Sequence, residues 1–182
     1  MRLFVGISLP DTARAALTDL IAGLAPSVPG ARWVPASNLH ATIAFLGEVA
    51  DGRVDEIGDA LRAATRGAGS VPTALAEAGA FPHARRARVL WAGLDDPAGS
   101  LAAVAAAVTA ALRPVGFEPE RRAWTAHCTL ARLRTPADVS AAIAGATVPP
   151  VRFEVADVEL FRSRLGRPHA MYEALVRFPL EA

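Results

Sequence analysis

The chain has 182 residues, with 19 arginines, no lysine and 18 acidic residues, for a formal net charge of +1. This length suits one domain or two small lobes sharing an interface, burying roughly 70% of the unfolded surface without covalent staples. Near-neutral charge excludes bulk electrostatic binding of nucleic acid, and a single cysteine, Cys128, excludes an internal disulfide and a cysteine-cluster metal site.

The opening apolar run Met1–Leu9 is ended by Pro10 and Asp11, too early for a signal-peptide core. The longest apolar stretch, Leu101–Leu112, is 12 residues, short of the about 20 that cross a bilayer. The expectation is a soluble, cytoplasmic protein with no membrane contact, in a compartment where a lone thiol stays reduced.

In chain order, Arg2–Leu9 reads as a strand and Asp11–Leu24 as a helix, with Leu17, Leu20, Ile21 and Leu24 at helical spacing. Pro26, Pro29 and Gly30 mark a loop. Leu39–Leu46 is a second strand, ended by Gly47, and Arg53–Thr65 a second helix. Thr73–Ala80 and Arg88–Leu94 read as strands. Asp96 and Pro97 form a cap-plus-proline start for a helix running to Leu112. Ala126–Leu133 is another strand, and Thr135–Pro136 repeats the helix-start signature for a helix to about Ala144. Val151–Arg162 and Ala170–Phe178 close the chain as two strands, with Gly166 and Pro168 in the turn. The mixture predicts an α/β or α+β architecture.

The chemistry-bearing feature is an internal echo. His40-Ala41-Thr42-Ile43-Ala44-Phe45-Leu46 matches His127-Cys128-Thr129-Leu130-Ala131-Arg132-Leu133, with histidine, threonine, alanine and leucine recurring at the same four places. Such self-similarity predicts two equivalent half-units. In a strand, residues i and i+2 share a face, about 6.6 Å apart. His40 and Thr42 therefore point one way, as do His127 and Thr129. Ala44 and Ala131 extend that face with small side chains that leave room for a ligand. Ala41, Ile43 and Phe45, with Cys128 and Leu130, make the opposite, core face.

Two imidazoles and two hydroxyls in twofold relation suit in-line displacement at phosphorus. The nucleophile enters on one side and the leaving oxygen departs on the other, so acid and base must flank the phosphate. Hydroxyl donors hold the non-bridging oxygens, and an imidazole with a pKa near 6.5 serves as either acid or base near neutrality. No metal or other cofactor is required. One His-x-Thr alone is more often packing than chemistry; two copies with matched flanks reverse that weighting. His83 and His169 sit in Pro/Arg-rich loops without a carboxylate pattern, so a zinc site is the poorer reading.

The pair LHATIAFLG and AHCTLAR resembles the two motifs of the two-histidine phosphoesterase superfamily. RLFVGISLP, GAFPHARRARVLWAGL, GFEPERR and ELFRSRL with YEALVRFPL resemble its bacterial RNA 2′,3′-cyclic phosphodiesterase branch, historically labelled 2′–5′ RNA ligase. The resemblance covers nearly the whole chain. It implies a bilobal, pseudo-twofold α+β fold over residues 1–182, with two antiparallel sheets facing a central cleft and helices outside. It also implies metal-independent hydrolysis of RNA 3′ ends bearing a 2′,3′-cyclic phosphate to 2′-phosphomonoesters; action as a monomer is a separate expectation. Carried over residue by residue, His40 is the proton donor and His127 the proton acceptor, while Thr42 and Thr129 grip the phosphate. Arg132 is similar to a family arginine that assists the phosphate, but strict alternation puts it on the face opposite His127. It reaches the site only if the strand twists or bulges. Cys128, where a larger aliphatic is common, is expected inward as a small hydrophobe.

Of the remaining features, Arg85, Arg86, Arg88, Arg121 and Arg122, with Arg162, Arg164 and Arg167, are expected at a surface that collectively guides an RNA backbone. Phe4 and Tyr172 are expected in core packing, with stacking on one terminal base as the alternative, and Trp33, Trp91 and Trp124 are expected to be structural. Two rivals stand beside the phosphodiesterase reading. One is the same chemistry on a small cyclic nucleotide or an ADP-ribose cyclic phosphate; the other is a non-catalytic RNA-end binding module.

Overall fold

The computed structural model describes residues 1–118, 123–166 and 169–181. They form β1 (Arg2–Ser8), α1 (Asp11–Leu24), β2 (Ala31–Trp33), β3 (His40–Glu48), α2 (Val54–Thr65), β4 (Val71–Phe81), β5 (Ala87–Leu94), α3 (Ser100–Leu112), β6 (His127–Ala137), α4 (Ser140–Ala144), β7 (Arg152–Val155), β8 (Asp157–Arg164) and β9 (Met171–Pro179). The strands order as β7-β4-β5-β6-β3-β1-β8-β9, with β2 added at β6. Every pairing is antiparallel, which makes the fold α+β.

Two halves meet where β3 and β6 share a single register pair, Ala41 with Cys128. On one side lie β3, β1, β8 and β9; on the other lie β6, β5, β4 and β7. The two expected sheets are therefore continuous through that one pair. Their registers correspond: Gly6 faces Thr42 as Trp91 faces Thr129, and Ile7 faces Ala41 as Ala92 faces Cys128. The third strands are exchanged. β4 follows β3 and α2 in sequence but pairs with β5, whereas β8 follows β6 but pairs with β1.

The core follows from the apolar runs. β1 buries Leu3, Phe4, Val5 and Ile7 almost in succession, as a central strand covered on both faces does. α3 lays Leu101, Val104, Ala105, Val108 and Leu112 along one helical stripe, packing against α2 and β3. α2 buries Ile57 and Leu61 and also packs on β8 and β9. Each such Leu or Ile contributes about 1.5–3 kcal/mol on burial.

Several boundaries differ from expectation. β3 runs through Gly47, whose φ of +71° lets the strand continue to Glu48 instead of ending there. The third helix starts at Ser100, not Pro97; Asp96 still caps it, accepting from the amides of Leu101 (3.0 Å) and Ala102 (2.9 Å). Thr135 and Pro136 belong to β6, because the pairing of Ala137 with Ala87 holds that stretch extended. The short helix begins only at Ser140, whose amide is held by Asp138 at 2.9 Å. The single strand expected over Val151–Arg162 breaks at Ala156 into β7, which pairs with β4, and β8, which pairs with β1. Pro168 lies outside the described residues. No described helix is long and apolar enough to cross a membrane.

Candidate active site

His40 opens β3 and His127 opens β6. Because the register pair is Ala41 with Cys128, continuing it by one residue sets His40 beside Thr129 and Thr42 beside His127. Both histidines are aimed by the same device. Nδ1–H of His40 donates to the Asn38 carbonyl at 2.7 Å, and Nδ1–H of His127 donates to the Thr125 carbonyl at 2.7 Å. A carbonyl is an acceptor only, so it fixes the tautomer and leaves Nε2 for chemistry. Nε2 of His40 lies 3.0 Å from Oγ1 of Thr42. Asn38 is anchored in turn, its Nδ2 donating to the Ala170 carbonyl at 2.6 Å.

Aromatic rings wall each imidazole. Phe4 (4.8 Å between ring centroids), Tyr172 (5.1 Å, edge-on) and Phe161 (6.0 Å) surround His40. Phe81 (5.1 Å, edge-on) and Trp91 (6.1 Å) flank His127. Phe161 and Phe81 hold equivalent places, one opposite Phe4 and the other opposite Val89. Burial among these groups pushes the His40 imidazole below its usual range, and positive charge at Arg132 and His127 adds to the lowering. The Asn38 carbonyl pulls the other way. The charges of Arg132 and His127 thus act directly on His40 across the cleft.

Matched bulges decide what else faces that cleft. On β3, Val5 pairs with Ala44 and Gly6 with Thr42, so Ile43 is an extra residue. On β6, Leu90 pairs with Ala131 and Trp91 with Thr129, so Leu130 is extra at the equivalent place. Each bulge reverses the alternation beyond it. Arg132 consequently turns to the face of His127 and lines the cleft, as the resemblance requires and strict alternation forbids. The same shift overturns two expectations. Ala131 is fully buried rather than open to a ligand, and Phe45, expected in the core, is 61% exposed on the cleft face in the place corresponding to Arg132.

The cleft is a cavity of about 530 Å³ lined by Thr42, Phe45, Phe81, His127, Thr129 and Arg132, among others. α3 supplies small residues along one wall, including Ala105, Ala106 and Thr109. Trp124, expected to be structural, also lines it and donates from Nε1 to the Thr42 carbonyl at 2.8 Å. A smaller adjoining cavity of about 330 Å³ shares Trp124 and Thr125 and is lined by Glu77, Asp95 and Asp96. Cys128 faces the core, where burial raises its thiol pKa to about 12.

His83 and His169 are exposed and belong to neither paired motif, and no described His, Cys, Asp or Glu side chains cluster to hold a metal ion. Arg121, Arg122 and Arg167 lie outside the described residues. The aromatic walls and the two aiming carbonyls were not anticipated from sequence.

A cleft built about two antiparallel His-x-Thr strands, each imidazole aimed by an upstream carbonyl, defines a two-histidine phosphoesterase. The chain belongs to the LigT-like phosphoesterase family, whose model matches residues 7–91 and 93–172, one His-x-Thr falling in each stretch. It is 32% identical to the RNA 2′,3′-cyclic phosphodiesterase of Escherichia coli strain K12, over 98% of this chain and 96% of that protein. It is 28% identical to a protein of the same name from Geobacillus stearothermophilus, over 97% of this chain but 56% of that protein, so it spans little more than half of that relative. The structure of E. coli LigT complexed with 3′-AMP aligns with a TM-score of 0.80 and 27% identity, covering 100% of this chain and 98% of that one.

Proposed function

We propose that this chain, acting as one bilobal unit, hydrolyses the 2′,3′-cyclic phosphate at RNA 3′ ends to a 2′-phosphomonoester. The observation that carries the reading is the Ala41–Cys128 register, which sets His40 beside Thr129 and Thr42 beside His127, the last three lining one cleft. The name of the E. coli relative, an RNA 2′,3′-cyclic phosphodiesterase matched over nearly its whole length, supports the substrate class. His127 takes a proton from water as its oxygen attacks phosphorus. The P–O3′ bond breaks, and His40 gives a proton to the departing 3′ oxygen. Hydroxyls of Thr42 and Thr129 and the guanidinium of Arg132 hold the non-bridging oxygens, where charge concentrates. Two imidazoles supply both proton transfers, so the chemistry runs without a metal. One chain supplies both sides of the cleft, which supports action as a monomer. A reduced lone cysteine fits the cytoplasm.

One observation favours the reverse assignment of the histidines. The lowered pKa of His40 keeps it neutral near pH 7 in the free protein, which suits a base. The donor role requires the bound phosphate anion to offset the charges of Arg132 and His127.

The test is product analysis. Cyclic-phosphate-ended RNA is incubated with the protein in EDTA. A 2′-phosphate product is expected; a 3′-phosphate product, or loss of turnover in EDTA, overturns the reaction as written.

A further inference from the structure

We infer that the body of the RNA leaves the cleft along β6, over a track of arginines formed by Arg132, Arg134, Arg32, Arg88, Arg85 and Arg86. The inference rests on the RNA-end reading above and adds to it a path and a direction.

The placement comes from the sheet. Arg132 lines the cleft, and Arg32 on β2 is its register partner. Arg134 follows two residues along β6 and is likewise exposed, about 16 Å of strand beyond Thr129. The Arg88 guanidinium donates to the Arg134 carbonyl at 3.3 Å. Arg85 and Arg86 lie in the turn before β5, tied to the far end of β6 by the Val139 amide on the Ala84 carbonyl at 2.8 Å. Arg85 sits close enough to Asp138 for its charge to help hold that carboxyl low.

All six side chains are exposed, and none has an ion-pair partner among the described residues. Clustered like charges without counter-ions repel one another, and a bound polyanion relieves that repulsion. The other half of the pseudo-twofold differs. Arg162 and Arg164 share Glu173, and Arg177 pairs with Glu159. The place of Arg132 is taken there by Phe45. Among the described residues the remaining arginines without an ion pair, Arg2, Arg66, Arg113 and Arg152, fall on or beside four different elements. A further way out, through the adjoining cavity, is lined by Glu77, Asp95 and Asp96, which repel phosphate.

The chemistry of the end supplies the direction. A 2′,3′-cyclic phosphate is a terminus, so every other phosphodiester lies 5′ of it and only one strand leaves the site. The β6 side is the exit where arginines gather without ion pairs among the described residues, the Asp138 carboxylate beside Arg85 offsetting only part of their charge.

The test uses binding, so that it stands apart from turnover. The probe is single-stranded RNA of about ten nucleotides, 5′-fluorescein-labelled and ending in a 2′-phosphate, compared with a mononucleotide 2′-phosphate. The triple variant Arg85→Glu/Arg86→Glu/Arg134→Glu is expected to lower the ratio of RNA to mononucleotide affinity at least about tenfold at low salt. The slope of log affinity against log salt falls by about 0.7 per lost contact, about 2 in all. Arg66→Glu/Arg113→Glu is the control and keeps the wild-type ratio. A triple variant within twofold of the wild-type ratio, an equal fall in the control, or no salt-dependent RNA binding by the wild type overturns the track. Failure of the wild type to open a cyclic end while it still binds RNA along this track instead overturns the phosphodiesterase reading alone.

Discussion

Ala41 and Cys128 face each other at the one register pair that joins β3 to β6, and each is the middle residue of a His-x-Thr. Both are fully buried, so the pseudo-twofold passes through two small core side chains while Thr42, His127 and Thr129 beside them line the cleft. The thiol is therefore a spacer. With its pKa raised to about 12 it carries almost no thiolate at neutral pH. Cys128→Ala is expected to keep turnover within about twofold and to cost about 1 kcal/mol or less in a urea melt, as small trims of a core residue do. The folded protein should resist iodoacetamide. Loss of turnover in the alanine variant with folding intact would give the thiol a chemical role.

His40→Ala and His127→Ala are each expected to lower kcat by about 10² to 10⁴, the usual contribution of one positioned acid or base. The double variant should lose little more than the worse single one, because two groups that serve one in-line displacement act as a unit. Single-turnover kinetics with circular dichroism on the same samples check this. An alanine variant with wild-type kcat removes that histidine from the mechanism.

The pH profile separates the two assignments of the histidines. His40 titrates below its usual 6.5 in the free protein, chiefly through burial. As the donor it must start protonated, so kcat/KM should fall on an alkaline limb with a midpoint below 6.5. The same limb in kcat should move upward, because bound phosphate offsets the charges of Arg132 and His127. If instead the acid limb of kcat/KM lies below 6.5, His40 is the base. Stability carries a matching sign. A depressed folded pKa means that the unfolded chain binds the proton first, so the contribution is present above pH 6.5 and lost as pH falls below it.

Glycine at 79 is required by the wall of the His127 side. Gly79 is the register partner of Trp91, and a Cβ there would lie 2.2 Å from the indole ring. Gly79→Ala is expected to cost about 1–3 kcal/mol, as overpacking does. It should also lower turnover, since the displaced indole is one of the rings that flank His127. Gly23→Ala on α1 meets open space and should stabilise by about 0.4–1 kcal/mol. Urea midpoints of the two variants decide the matter; equal shifts would mean that Trp91 relaxes freely.

The echo of His40–Leu46 in His127–Leu133 made the paired site legible, because histidine and threonine at i and i+2 carry chemistry on one face whatever surrounds them. The bulges were not legible. Ile43-Ala44 and Leu130-Ala131 are apolar in both phases, so a one-residue slip leaves no mark in the hydrophobic pattern. Strict alternation beyond the slip therefore puts Phe45 in the core and Ala131 in the cleft, the reverse of their places, and lets Arg132 reach the site only through such a bulge. The partners of β4 and β8 were hidden for another reason. Strand exchange between halves is a tertiary choice, and a strand reads the same beside either neighbour. The break at Ala156, which sends β7 and β8 to opposite halves, is of that kind.

Arg132 is where slip and chemistry meet, and its substitution tests both. The bulge turns its guanidinium into the cleft, where its charge lowers the His40 pKa. Arg132→Gln removes that charge along with the fork that matches two phosphate oxygens. The expected loss in kcat/KM is about 10²-fold, comparable to removal of one oxyanion donor. Arg132→Lys restores the charge without the fork and should recover only part of the loss. NMR titration of the His40 ring separates charge from geometry: its pKa should rise in the glutamine variant and stay near wild type in the lysine variant. A glutamine variant with wild-type turnover and an unmoved His40 titration would place Arg132 outside the cleft, and the equivalence of the two bulges with it.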